Sequence, residues 1–112
     1  MSPDEWRFRI EDILNSIHAI REYTKGMKFI EFVSDRKTVD AVIRNLIVIG
    51  EASARIPDAV GQSHPEIPWN DMSDMRNFVV HEYFCISDKI VWETVKNDLP
   101  LLVKSLQDLI SK

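Results

Sequence analysis

The sequence predicts an all-α protein, an antiparallel bundle of four to five amphipathic helices. Apolar residues recur every three or four positions along most of the chain, and this spacing puts them on one face of a helix. Only three glycines occur among the 112 residues, which is few for a fold that depends on tight turns. Capping residues and prolines stand where such helices would begin and end. At this length we expect one domain that spans residues 1–112.

The first helix is predicted to begin at Pro3, a residue that suits the first helical position. Ser2 can cap this helix, and Glu5 stands three residues after the cap, as in a capping box. Gly26 is the expected end of the helix, and residues 27–33 are expected to form a brief second helix. The apolar stripe of the first helix consists of Trp6, Ile10, Ile13, Leu14, Ile17 and Ile20.

A third helix is expected after Ser34 or Asp35, either of which can cap it. It ends near Ile56, because the residue before a proline avoids helical backbone angles. Its last turns contain small side chains, so another helix can approach closely there. These small residues are Gly50, Ala52, Ser53 and Ala54.

Residues 57–68 are predicted to be a loop, because they contain three of the five prolines. The loop has room for one helical turn around residues 58–62. Asn70 is the expected cap of a fourth helix, with Trp69 before it as a hydrophobic staple. The apolar face of this helix consists of Met72, Met75, Val79 and Tyr83.

The last helix is predicted to begin after Ser87, which can cap it. Pro100 lies within its apolar stripe and removes the hydrogen bond to the Lys96 carbonyl, so we expect a kink or a new start of the helix there. The stripe consists of Val91, Val95, Leu99, Leu102, Leu106 and Leu109.

The charge balance excludes a strongly basic surface of the kind that coats nucleic acid. Fourteen Lys and Arg side chains face eighteen Asp and Glu side chains, for a net charge of −4, so contact with RNA needs a local patch. The single cysteine, Cys85, cannot form an internal disulfide and fits a reducing compartment. The N-terminus lacks the features of a signal peptide, and no aliphatic run is long enough to cross a bilayer. We therefore expect a soluble, cytoplasmic protein with no membrane partner.

The residues best suited to chemistry follow one another between positions 76 and 83. They are Arg76, Asn77, His81 and Tyr83. Cleavage of a phosphodiester uses such groups, because a histidine can take the proton from a ribose 2′-hydroxyl or protonate the leaving oxygen. An arginine can hold two phosphate oxygens and stabilise the charge of the five-coordinate transition state. This chemistry requires no metal ion and no other cofactor.

The spacing of these residues on an ideal helix brings only some of them together. Asn77 and His81 are four positions apart and share a face, whereas Arg76 and His81 differ by about 140°. Three arrangements could still aim both at one phosphate: the helix ends near His81, the long Arg76 side chain curls round, or a second protomer supplies the partner group. The third would make the protein a homodimer in which one histidine acts as base and its mate as acid.

The order Arg-x4-His-x-Tyr, with Asn directly after the Arg, resembles the signature of the HepT-like toxins, HEPN-superfamily proteins of prokaryotic toxin–antitoxin pairs. Further segments between residues 39 and 103 are similar to the same family. They are Arg44-Asn45-Leu46, Ile49-Gly50-Glu51-Ala52, His64-Pro65-Glu66-Ile67-Pro68-Trp69, Met75-Arg76-Asn77, Ile90-Val91-Trp92-Glu93-Thr94 and Asp98-Leu99-Pro100.

The resemblance implies an all-α, HEPN-like dimer with metal-independent endoribonuclease activity. It implies Arg76 and His81 as the catalytic pair and Asn77 as the polar residue beside the arginine, in contact with RNA phosphate. It also implies a nucleotidyltransferase antitoxin similar to MntA, with Tyr83 as the residue that accepts AMP. Glu82 departs from the pattern, because many relatives have a small residue there, and its carboxylate weakens the attraction for RNA.

Simpler interpretations compete with each of these roles. Arg76 could pair with Asp71 or Asp74 on the surface, and Tyr83 could be a packing residue. His81 and Cys85, four positions apart, do not make a zinc site by themselves, so we expect no metal. The alternative function is a helical binding module that docks a minimal nucleotidyltransferase and binds nucleotide without cutting RNA.

Overall fold

The computed structural model describes residues 2–77 and 88–111, and all regular structure in these ranges is helical. The prediction of an all-α fold is therefore confirmed. The helices are α1 (Pro3–Thr24), α2 (Phe29–Ser34), α3 (Arg36–Ala54), α4 (Asp58–Ser63), α5 (Trp69–Asp74), α6 (Asp88–Glu93) and α7 (Leu99–Ser111). A 3-10 turn, Met75–Asn77, follows α5, and a π-helical turn, Thr94–Asp98, joins α6 to α7.

Helix α1 begins and ends at the predicted signals. The Ser2 hydroxyl accepts a hydrogen bond from the Glu5 backbone N–H at 3.3 Å, which satisfies one of the unpaired donors of the first turn. The chain leaves the helix after Thr24 and reverses at Gly26, whose φ of +76° is a left-handed conformation that glycine adopts without steric cost.

The core lies between α1, α3 and α7. The four isoleucines of the predicted α1 stripe are buried, whereas Trp6 and Leu14 are partly buried. Helix α1 packs against α3 and against α7. The Arg7 guanidinium near the start of α1 donates to the Ile110 carbonyl near the end of α7 at 2.7 Å, so these two helices run antiparallel. The fully buried side chains of the three helices include Ile10, Ile13, Ile20, Val39, Val42, Leu46, Ile49, Leu99 and Leu106.

The short helix α2 covers one end of this core. Phe32 is completely buried and packs against Trp92 of α6, with ring centroids 5.0 Å apart. The Lys96 ammonium lies 4.7 Å from the centroid of the same indole, a distance at which the ring attracts a cation. An aromatic cluster therefore joins α2 to the C-terminal helices.

Asp35, one of the two predicted caps, is the cap of α3. Its carboxylate accepts from the Thr38 backbone N–H at 3.1 Å and from the Thr38 hydroxyl at 2.7 Å. These bonds, the hydroxyl first, lower the pKa of the Asp35 carboxyl from its usual value, because they stabilise the charged form. Helix α3 ends at Ala54, before Ile56 and Pro57, as the proline predicted.

The segment from Pro57 to Pro68 is not all loop. The single helical turn expected at residues 58–62 is the six-residue helix α4. The prediction that Asn70 caps the next helix is wrong, because α5 already begins at Trp69, directly after Pro68. Pro68 is the N-cap of α5, and its carbonyl accepts the first helical hydrogen bond from the Met72 N–H at 3.0 Å. Trp69 is part of the helix, and its indole N–H donates to the His64 carbonyl at 3.1 Å.

The C-terminal run changes its helical pitch before Pro100. The Leu99 N–H donates to the Thr94 carbonyl, five residues earlier, which is the π-helical pattern. Pro100 then occupies the first turn of α7, where its missing donor costs nothing. The interruption expected at Pro100 is present as this change from π- to α-helical pattern, although the backbone stays helical on both sides of it. The predicted cap at Ser87 lies outside the described residues. No helix among those described is long and apolar enough to cross a membrane.

Candidate active site

Arg76 is the central residue of the 3-10 turn that follows α5. Met72 and Met75 on the two sides of this junction are buried, at 0% and 6% exposure, and they anchor α5 and the turn in the core. Residues three apart share a side of either helix type, so the two methionines point inward together. The next side chain, Arg76, is consequently exposed.

The backbone of Arg76 lies directly on helix α3 at Gly50. A Cβ atom built on Gly50 would collide with the Arg76 backbone nitrogen and would stand 2.8 Å from its Cα. The small residues near the end of α3 predicted such a close approach, and Ala52 and Ser53 are also buried there. The partner of this surface is the 3-10 turn, which the sequence did not indicate.

The Arg76 guanidinium has no acidic partner in the described parts of the chain. The ion pairs found there join Arg36 to Asp88 at 2.9 Å and Lys104 to Asp108 at 3.7 Å, with a His64–Glu66 contact at 3.4 Å. The simpler interpretation, in which Asp71 or Asp74 pairs with Arg76, does not describe the structure. An exposed guanidinium without a carboxylate partner keeps its donors available for a phosphate.

Asn77 lies at the edge of a cavity of about 780 Å³ between α5, α6 and α7. The side chain is half-buried. The floor is apolar and includes Met72 and Met75, while the rim is acidic. The carboxylates of the rim belong to Glu66, Asp71, Asp74 and Asp98.

Among the described residues that line this cavity there are four carboxylates and no lysine or arginine, a charge distribution that disfavours an RNA backbone. Arg76 is not among its lining residues.

The remaining predicted site residues, His81 and Tyr83, lie outside the described residues, as do Glu82 and Cys85. The structure therefore brings together Arg76 and Asn77. Both belong to a 3-10 turn, which has three residues per turn. The α-helical rotation of about 100° per residue, assumed above for the path from Arg76 to His81, therefore does not apply between Arg76 and Asn77. In the described ranges, no three His, Cys, Asp or Glu side chains are grouped as metal ligands.

A family model described as "Ribonuclease HepT-like" matches residues 13–109. The chain belongs to the HepT-like ribonuclease family. This match includes the second half of α1, all of α3, the Arg76 turn and most of α7, and it confirms the family that the sequence motifs indicated. The prediction of an enzyme of the ribonuclease class is confirmed at the level of the family.

Individual relatives cover almost the whole HepT-like chain. A Thermococcus cleftensis protein named "Probable ribonuclease HepT" is 44% identical over 100 residues, which is 89% of this chain and 91% of the relative. A Methanocaldococcus jannaschii protein named as a candidate RNase is 37% identical over 110 residues, 98% of this chain and 91% of its own. One from Caldanaerobacter subterraneus, named likewise, is 34% identical over 103 residues, 92% of each chain. No solved structure matches the chain significantly.

The sequence did not reveal that Gly50 contacts the backbone of Arg76. The sequence did contain a signal for a close contact at Gly50. Glycine destabilises the interior of a helix, so its presence there usually has a packing reason. The partner could not be deduced, since Gly50 and Arg76 are 26 positions apart in the HepT-like sequence.

Proposed function

We propose that this HepT-like protein is the toxin of a toxin–antitoxin pair and cleaves RNA internally without a metal ion. The observation that carries the proposal is the exposed Arg76 guanidinium, anchored through its backbone and without a described acidic partner. Family membership and the His81 five positions later add the acid–base group that such cleavage requires.

The proposed reaction is a transfer within the RNA chain. His81 takes the proton of a ribose 2′-hydroxyl, and the oxygen attacks the adjacent phosphorus. The P–O5′ bond breaks, and a protonated acid gives its proton to the leaving O5′. Arg76 holds two phosphate oxygens and stabilises the added charge of the five-coordinate state. Asn77 donates to phosphate or ribose, and the products are a 2′,3′-cyclic phosphate and a 5′-hydroxyl.

A homodimer would supply both proton-transfer groups. Two-fold symmetry brings two copies of one surface together, so His81 of one subunit could act as base and its mate as acid. We propose that residues 1–112 form one domain and that two such domains enclose the RNA phosphate between their Arg76 turns. Sedimentation of the purified protein at several concentrations tests this assembly.

We further propose that a nucleotidyltransferase antitoxin, similar to MntA, neutralises the toxin by attaching AMP to Tyr83. Tyr83 is seven positions from Arg76 in the chain. The phosphate of the attached AMP would bind the Arg76 guanidinium in place of the RNA phosphate. Incubation with the partner and ATP should add the mass of AMP to a peptide that contains Tyr83. Absence of that mass removes Tyr83 from the acceptor role.

The activity itself is tested by incubating purified protein with RNA in EDTA. Cleavage that persists and leaves cyclic phosphate ends supports the proposal, because no bound metal is then needed. The His81→Ala variant should lose the activity. Equal cleavage by this variant would mean that a contaminant or another site cuts the RNA.

The acidic cavity beside Asn77 and the net charge of −4 favour one alternative, a non-catalytic module. In that case the helical domain docks a nucleotidyltransferase and binds nucleotide. A stable complex with the partner, together with intact RNA after expression of the free protein, would select this function.

A further inference from the structure

The contact between Gly50 and Arg76 is a backbone-to-backbone contact. A Cβ at Gly50 would collide with the Arg76 nitrogen and would stand 2.8 Å from both the Cα and the Cβ of Arg76. Contacts this short do not occur between real atoms of this type, so the turn would have to move. Atoms of a backbone cannot swing aside as the end of a long side chain can.

Gly50 is not needed for its backbone conformation. Gly26 is the glycine with a positive φ in the described chain, whereas Gly50 lies inside helix α3. Glycine is unfavourable in a helix interior compared with alanine. The physical benefit of Gly50 is therefore the space that its missing Cβ leaves for the Arg76 turn.

The turn is held on two sides. Met72 and Met75 fix it in the core by burial, and Gly50 sets how closely its backbone approaches α3. No described carboxylate orients the guanidinium. The location of the arginine side chain therefore depends on the backbone beneath it.

We propose that Gly50 is a positioning residue for Arg76, an inference that rests on the proposed RNA cleavage. A Cβ at position 50 pushes the Arg76 turn away from α3 and moves the guanidinium relative to the scissile phosphate. A displacement of about 1 Å costs roughly 100-fold in the rate of a positioned reaction.

The test compares two glycine-to-alanine variants in the full chain. Gly50→Ala should lower kcat/KM for RNA by roughly 100-fold. Gly61→Ala is the matched control, because Gly61 is also helical but its added Cβ would meet the Trp69 ring at 3.6 Å, an ordinary contact. The control should cleave at the wild-type rate.

A binding cycle separates positioning from general damage. The probe is a 2′-O-methyl RNA oligonucleotide, which has no attacking hydroxyl and cannot be cut. Gly50→Ala and Arg76→Ala should each weaken its binding by about tenfold, the size expected for a charged hydrogen bond. The double variant should bind no more weakly than Arg76→Ala alone, because both changes remove the same contact.

The outcomes distinguish the two levels of the proposal. The positioning role is overturned if Gly50→Ala cleaves RNA at the wild-type rate, or if the losses of binding affinity add in the double variant. Either result leaves the nuclease proposal intact. No cleavage by the wild-type protein overturns both. Circular dichroism establishes that the variant is folded. If it is not folded, the positioning role is also overturned, because Gly50 is then required for the fold as a whole.

Discussion

Arg76 differs from the other cations whose interactions the structure describes. Arg7 donates to a helix carbonyl, Arg36 pairs with Asp88, and Lys96 lies over an indole ring. Each of these side chains holds two elements of the fold together. The Arg76 side chain has no such contact in the described chain, although its backbone lies directly against Gly50 of α3. A fixed backbone beneath a free guanidinium suits a group that binds a ligand.

Asn77 offers a test at the same scale. The substitution Asn77→Asp keeps the size of the side chain but adds a negative charge next to Arg76, on a rim that is already acidic. We expect kcat/KM for RNA to fall by about tenfold at low salt, because the carboxylate repels phosphate.

The loss should shrink in 1 M salt, where charges on the surface are screened. Asn15→Asp on exposed α1 is the control and should have little effect. A salt-independent loss would contradict the electrostatic explanation and would indicate a lost hydrogen bond instead.

The sequence motif predicts Arg76 and Asn77 as site residues from the chemistry of their side chains, and this role stays a prediction. The motif gave no indication of how the fold holds the two residues. The Gly50 contact joins residues that are far apart in sequence, and no local rule gives such a pairing.

At the scale of single elements, short-range signals predicted the helix ends well. Ser2, Asp35 and Gly26 act within three or four residues, so the sequence determines their effects. The predicted cap at Asn70 was wrong, because α5 begins one residue earlier, at Trp69, with Pro68 at the cap position and no side-chain cap hydrogen bond. Pro100 predicted an interruption, but the sequence did not indicate the π-helical form of Thr94–Asp98.

The cap of α3 gives a prediction with a pH dependence. Asp35→Ala should lower the melting temperature at pH 7, because the Thr38 N–H and hydroxyl lose their acceptor. The folded-state pKa of Asp35 lies below its usual value of 3.8. The stabilisation is therefore present above that value and is lost as the pH falls through the lowered folded pKa.

Thermal melts followed by circular dichroism at pH 7 and at pH 2 check this expectation. The difference between wild type and Asp35→Ala should narrow at the lower pH. Asp40→Ala, an exposed residue of the same helix, is the control. A difference that stays constant with pH would show that the charge of the cap contributes nothing.

The whole molecule carries a net charge of −4 and a cavity rimmed by four carboxylates. Its total charge was predictable from composition, but the gathering of these carboxylates was not, because they come from α5, from the segment before it and from the C-terminal run. The Arg76 turn lies outside this acidic lining, and it is the described site where we propose phosphate contact. RNA binding should consequently depend on few phosphates and have a shallow dependence on salt.

Neutralising part of the rim should strengthen RNA binding. The double variant Asp71→Asn, Asp74→Asn removes two repelling charges close in sequence to Arg76, and we expect its affinity for the 2′-O-methyl oligonucleotide to rise by about two- to fivefold at low salt. The pair Glu11→Gln, Asp12→Asn on exposed α1 makes the same change in net charge. An equal gain from both variants would mean that only total charge matters.

The most direct test of the account is the single-turnover rate of RNA cleavage in EDTA by wild-type protein and by Arg76→Ala. We predict that the wild-type protein leaves cyclic phosphate ends and that the variant, with an unchanged circular dichroism spectrum, is at least about 100-fold slower. Cleavage at the same rate by both proteins would contradict the role of the Arg76 turn.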